Sequence, residues 1–85
     1  MSEIDKPKIP RDFLIALAKN YEEGNPEIFV QFKVEDDAEQ QMIAKLRAEE
    51  LIGTLDGQPI LVRFTDKGYR AYKPAIDFER TTNIP

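Results

Sequence analysis

Residues 46–72, LRAEELIGTLDGQPILVRFTDKGYRAY, decide the fold. Leu46, Leu51 and Ile52 close a helix in apolar residues, and Ile52 to Leu55 and Ile60 to Phe64 then read as two short strands. Asp56-Gly57 turns the chain between them, although Gln58-Pro59 makes the loop longer than a minimal hairpin. Pro59 has no N–H to give to a ladder, so it must stand at a strand's first residue or on its free edge. Thr65 can cap a last short helix through Gly68, Tyr69 and Tyr72, which Lys73-Pro74 is expected to stop.

Upstream, Pro10 sits where a helix favours proline. From Arg11 the apolar residues Phe13, Leu14, Leu17, Ala18 and Tyr21 recur at spacings of three and four, with Asp12, Lys19, Glu22 and Glu23 on the other face. Gly24 supplies the left-handed residue that ends such a helix, predicted over residues 10–23. Residues 25–34, NPEIFVQFKV, carry two signals. Ile28, Val30, Phe32 and Val34 alternate as in a strand, while Asn25-Pro26-Glu27 is also a good helix start. The β-branched and aromatic content favours extended structure. A second helix is predicted from Asp36 or Asp37, with Asp37 and Gln40 as a capping box. Its buried stripe is Ala38, Met42, Ile43 and Leu46, and it ends at Glu49 or Glu50.

The totals narrow the chemistry. Eighty-five residues suit one small domain near the lower limit for a self-sufficient core. The absence of cysteine removes disulfides, thiolate nucleophiles and cysteine–zinc sites, and the absence of histidine removes the commonest general base and metal ligand. Neighbouring carboxylates such as Asp36-Asp37 do not share a helix face, and no phosphate-cradling glycine loop or serine–base arrangement stands in the sequence. A non-enzyme without metal or cofactor is expected. No segment is apolar enough to be a signal peptide or membrane span, so a cytoplasmic protein is expected.

The closing run carries a family likeness. Winged helix-turn-helix domains of bacterial regulators and small phage-derived proteins often end in the same order. A helix closes on an apolar residue, a glycine and an apolar pair; a hairpin follows, then threonine, a basic residue, glycine and an aromatic or aliphatic residue. Leu46, Leu51, Ile52 and Phe64-Thr65-Asp66-Lys67-Gly68-Tyr69 match that order, and residues 10–72 resemble the family. Glu50 departs from it, standing where the helix-ending glycine is common. The first helix of the helix-turn-helix pair is not evident before Asp37. The resemblance implies an α+β fold: a small winged helix-turn-helix domain over 10–73 with a β-hairpin wing, to which residues 28–34 can add a third short strand. Residues 1–9 would be a loose arm, and 74–85 a C-terminal tail.

The resemblance also implies duplex DNA as a partner, with the Asp37–Glu49 helix reading the major groove. Gln40, Ala44, Arg47 and Ala48 would face outward, with Gln41 at the margin. Glutamine pairs with adenine and arginine with guanine, so Gln40, Gln41 and Arg47 are the candidate base readers. The same residues also describe an ordinary solvated face. Charge opposes the reader, because Glu35, Asp36, Asp37, Glu39, Glu49 and Glu50 outnumber Lys45 and Arg47 there, and the net charge is −4. The wing differs. Arg63, Lys67, Arg70 and Lys73 stand against Asp66 alone and, with Lys6, Lys8 and Arg11, could form a basic rim for phosphates. Tyr69 and Tyr72 could stack on a base or close the core beneath the wing. The expected function is a small DNA-binding, transcription-regulatory protein. The alternative is an acidic winged-helix module that binds a protein or itself through Ile76 and Phe78.

Overall fold

The computed structural model describes residues 7–24 and 29–82. Along the chain come α1 (Arg11–Glu22), β1 (Val30–Phe32), α2 (Asp37–Ala48), β2 (Ile52–Leu55), β3 (Ile60–Phe64) and α3 (Asp66–Thr82). The strands form one antiparallel sheet in the order β1-β3-β2. The fold is α+β with a winged-helix-like layout: helix, strand, helix, hairpin, helix. The hairpin strands fall on the residues their alternation indicates, and β1 supplies the third strand. Asn25-Pro26-Glu27 and Ile28 lie outside the described residues.

Register decides which side of the sheet is the core. Val30 pairs with Val62, Phe32 with Ile60 and Ile52 with Phe64, so these side chains share one face. The helices lie against that face. Phe13 of α1 stacks on Phe32 with ring centroids 4.4 Å apart, and Tyr72 of α3 stacks on Phe64 at 5.9 Å. Phe64, Leu17, Leu46, Ile76 and Val62 are fully buried. Each contributes about 1.5–3 kcal/mol of burial. Met42, Ile43 and Leu46 form the buried stripe of α2, but Ala38 is exposed in its first turn and does not belong to it.

The α2 caps show how local chemistry sets its ends. Asp36, not Asp37, is the N-cap: its carboxylate accepts the Glu39 N–H at 2.8 Å, while the Glu39 carboxylate accepts the Glu35 N–H at 2.7 Å. The cap is thus one residue earlier than the sequence suggested, and its return bond goes to the Glu35 N–H just before the N-cap rather than to the N-cap itself. At the other end the Glu50 N–H reaches the Arg47 carbonyl at 3.0 Å and the Leu51 N–H reaches Leu46 at 2.9 Å. This is the Schellman pattern, which needs a left-handed residue just beyond the cap. Glu50 fills that place at φ 61, a position glycine holds without steric cost.

The Thr65 run is a structural clamp. Its hydroxyl accepts the Gly68 N–H at 3.0 Å, capping α3, and donates to the Glu50 carbonyl at 2.7 Å. Gly68 lies against Leu51 so closely that a Cβ there would sit 1.8 Å from the Leu51 carbonyl oxygen. The end of α2 and the start of α3 are therefore joined backbone to backbone.

Two boundaries differ from expectation. α3 does not stop at Lys73-Pro74 but runs through Pro74 to Thr82. Pro74 is exposed, and the carbonyl it deprives of an intrahelical donor belongs to exposed Arg70, where water can satisfy it. Buried Ile76 holds the distal half down, and Arg80 binds the Glu22 carboxylate through two nitrogens at 2.7 and 2.9 Å. At the other end, the chain just before α1 is docked rather than loose. Ile9 is buried, and the Tyr72 hydroxyl donates to the Pro7 carbonyl.

Candidate nucleic-acid interface

α2 presents two outward surfaces. Gln40, Ala44 and Arg47 line one side of a groove of about 860 Å³, whose other walls are the end of β1 and the hairpin turn. Gln41 and Ala48 are exposed but lie outside it. Gln31 and Lys33 enter from β1 and the chain after it, and Gln58 from the turn. The floor is apolar, made by Val34, Ile43, Pro59 and Ile60. Asp56-Gly57 forms the turn, with Gly57 at φ 155, and Pro59 stands one residue before β3, off the ladder.

Among the described residues no carboxylate lines this groove, although the chain as a whole is acidic. Its two cations have only loose partners at the rim. Arg47 lies 3.9 Å from Asp56 and Lys33 lies 4.0 Å from Glu35, with all four side chains largely exposed. Such pairs are worth about 0–1 kcal/mol, so an incoming anion could replace them. The acids at the start of α2 are held apart from the groove. Asp36 and Glu39 are occupied by capping, and Asp37 is in the exposed first turn.

The other candidate cations do not assemble into one rim. Arg63 is on the sheet face turned away from the helices, with its guanidinium carbon 5.8 Å from the centroid of the Phe29 ring. Lys67 and Arg70 are exposed on α3, across the sheet from Arg63. Lys73 bonds Asp77 at 2.8 Å, which raises its pKa, and Arg11 is held by Asp12 at 3.2 Å and Glu79 at 3.3 Å. Lys8 is exposed, and Lys6 lies outside the described residues.

The tyrosines belong to the scaffold. Tyr72 is buried, and burial pushes its hydroxyl up to about 12. Tyr69 stacks on Tyr21 at 4.3 Å. The Tyr69 hydroxyl donates to Glu22 and the Tyr21 hydroxyl to Asp66, and each bond raises its tyrosine's pKa. Ile76 is fully buried and has no surface to offer a partner, whereas Phe78 is 64% exposed.

No protein-family model, no curated protein and no solved structure matches the chain. Among the described residues no helix is long and apolar enough to cross a membrane, and no group of three or more metal-ligating side chains is gathered.

Gln31, Lys33 and Gln58 joined the groove unannounced. Alternation with Val30 and Phe32 puts Gln31 on the other side of the strand, but nothing in the sequence links it to α2. Only closure of the hairpin beside β1 brings the three elements together.

Proposed function

We propose that this winged-helix-like chain is a small duplex-DNA-binding, transcription-regulatory protein acting in the cytoplasm. Its contact surface would be the groove between α2 and the hairpin turn. The observation that carries the reading is the shared groove itself: Gln40 and Arg47 face the same space as Gln31, Lys33 and Gln58, with no carboxylate among the described lining residues. Amide and guanidinium groups are the side chains that read base edges, and the lysine and arginine can also hold phosphates.

Described residues contain no helix-turn-helix pair, because β1 stands between α1 and α2. With acids at its N-terminus, α2 would lie side-on to the duplex rather than enter tip first. Contact then falls on Gln40 and Arg47, and Asp36 and Asp37 stay clear of the phosphates. Two groove cations imply weak, salt-sensitive binding, with a log–log salt slope of about −2.

Fluorescence anisotropy with random-sequence duplex DNA at low salt tests this. Binding at about 10 μM or tighter is expected for a non-specific complex. Arg47→Glu and Lys33→Glu should each abolish it, while Arg70→Glu should leave most of it. No binding by the unaltered chain would sink the proposal. The apolar floor of the groove favours one second reading, an extended peptide seated there; peptide binding blocked by Ala44→Trp, without DNA affinity, would select it.

A further inference from the structure

The sheet face turned away from the helices is unusual for a surface left to water. Register and alternation put Phe29, Gln31, Gly53, Leu55, Leu61 and Arg63 on it. Exposed faces of antiparallel sheets are normally polar, yet half of these positions are large and apolar. None of the six contributes to the core, and Leu55 is 50% exposed. Among the described residues no helix covers this face. Gly53 leaves the β2 edge flat, and the Arg63 side chain of the central strand lies across the space, its Nε 3.6 Å from where a Cβ would be.

Charge and area narrow the occupant. Sixteen acids are spread over the chain, but none falls within the three strands. The face offers one guanidinium, with Lys33 at its border. That suits a partner bringing a single carboxylate, and is too little for a nucleic-acid strand with a phosphate at every nucleotide. Three strands about 4.8 Å apart, rising about 3.3 Å per residue, give a face on the order of 300 Å². A stable pair of globular partners needs about 800 Å² from each. A second copy of this chain seated here alone would be too weakly held, whereas a short extended segment would fill the face.

We infer that the open sheet face is a docking site for a short, apolar segment of another protein carrying one acidic residue. The apolar side chains would lie on Phe29, Leu55 and Leu61, and the carboxylate would take the Arg63 guanidinium. The site adjoins the α2 groove at Gln31 and Lys33, but its anchors, Phe29, Leu55, Leu61 and Arg63, lie outside that groove, and it does not depend on DNA binding there.

The test is a selection of random 12-residue peptides displayed on phage against the full-length chain, followed by titration of a synthesised winner into isotope-labelled protein. Winners should combine one Asp or Glu with at least two large apolar residues, and should shift the amides of Gly53, Leu55, Leu61 and Arg63. Leu61→Asp should weaken binding by about tenfold or more, the cost of losing one buried leucine contact. The variant should still melt cooperatively, within about 10 °C of the parent, because Leu61 is half-buried and outside the core. Selection against Arg63→Glu should return Lys or Arg in place of the acid. Shifts confined to Gln40, Ala44 and Arg47, no enrichment, or unchanged charge preference with Arg63→Glu would each overturn the inference. So would concentration-dependent shifts of the face without peptide, which would give it to a second copy. Leu55→Ser, which adds no charge and lies on the strand farther from Gln31, should weaken the peptide and leave DNA anisotropy unaltered, so the two proposals fail separately.

Discussion

The two ends of the β-hairpin are built to opposite specifications. At the Leu51–Thr65 end the chain is fixed by backbone contact. Thr65 bonds the Glu50 carbonyl, caps α3 and gives its N–H to the Leu51 carbonyl at 3.2 Å, and Gly68 has no room for a methyl group. At the Asp56–Pro59 end every residue is exposed, and those that matter face the groove rather than the core. The difference shows where this small domain keeps its stability and where it is free to recognise something. A rigid base lets an exposed turn hold its position without being buried itself.

The largest break in this comparison comes at Gly68. Gly68→Ala should cost more than about 4 kcal/mol, because the clash is with backbone rather than a movable side chain. Circular dichroism should show no cooperative melt at room temperature and above. A transition within a few degrees of the parent would mean that the two backbones are not in contact. Thr65→Ala should cost about 1–2 kcal/mol through loss of the cap and the link to Glu50. Urea unfolding reads that loss, and Thr65→Ser should recover most of it.

Glu50→Gly should act in the opposite direction. It relieves a left-handed residue that carries a Cβ, and should stabilise by about 1 kcal/mol. A lower urea midpoint would show instead that the Glu50 side chain has a role of its own.

A smaller effect should appear in acid. The Arg80 guanidinium, with the Tyr69 hydroxyl, holds the Glu22 carboxyl below its ordinary value of 4.5. A depressed carboxylate adds stability that is complete above the unfolded-state value and is lost as pH falls through the folded one. Glu22→Gln should therefore differ from the parent near neutrality, and the gap should close on acidification below about pH 4.5. A gap that stays constant down that range would mean that the Glu22–Arg80 pair carries no charge-dependent stability.

At the turn, Gln58→Ala and Gln40→Ala should change stability by less than about 0.5 kcal/mol while weakening DNA binding. If either costs as much stability as Thr65→Ala is expected to, the contrast between the hairpin ends is wrong.

Much of this was legible in residues 46–72. Strand alternation is a short-range property, and Ile52–Leu55 and Ile60–Phe64 show it without help. Glu50 was marked as a misfit where glycine is common, and its positive φ is the physical form of that misfit. The readings that failed were local rules outweighed from a distance. Pro74 stops an isolated helix, but Ile76 in the core and the Arg80–Glu22 pair continue this one. Asp37 and Gln40 have cap spacing, but Asp36 and Glu39 have it too, and the approach from β1 selected the earlier pair. The proposed basic rim followed from nearness in sequence, which a sheet does not respect: Arg63 and Lys67 are on opposite sides of it.

The sequence by itself determined the hairpin strands, the starts of the helices to within a residue and the alternation of faces along each strand, whereas the need for a small residue at Gly68 came from its contact with Leu51. Periodicity, capping and turn chemistry act over a few residues and can be read there. Only the tertiary structure decided which side chains share a surface. Gln31, Lys33, Gln40, Arg47 and Gln58 come from three elements, and their meeting depends on β3 pairing with β1 as well as β2. That pairing is a choice among distant partners, made by burial of Val30, Phe32 and Val62 against α1 rather than by any local signal.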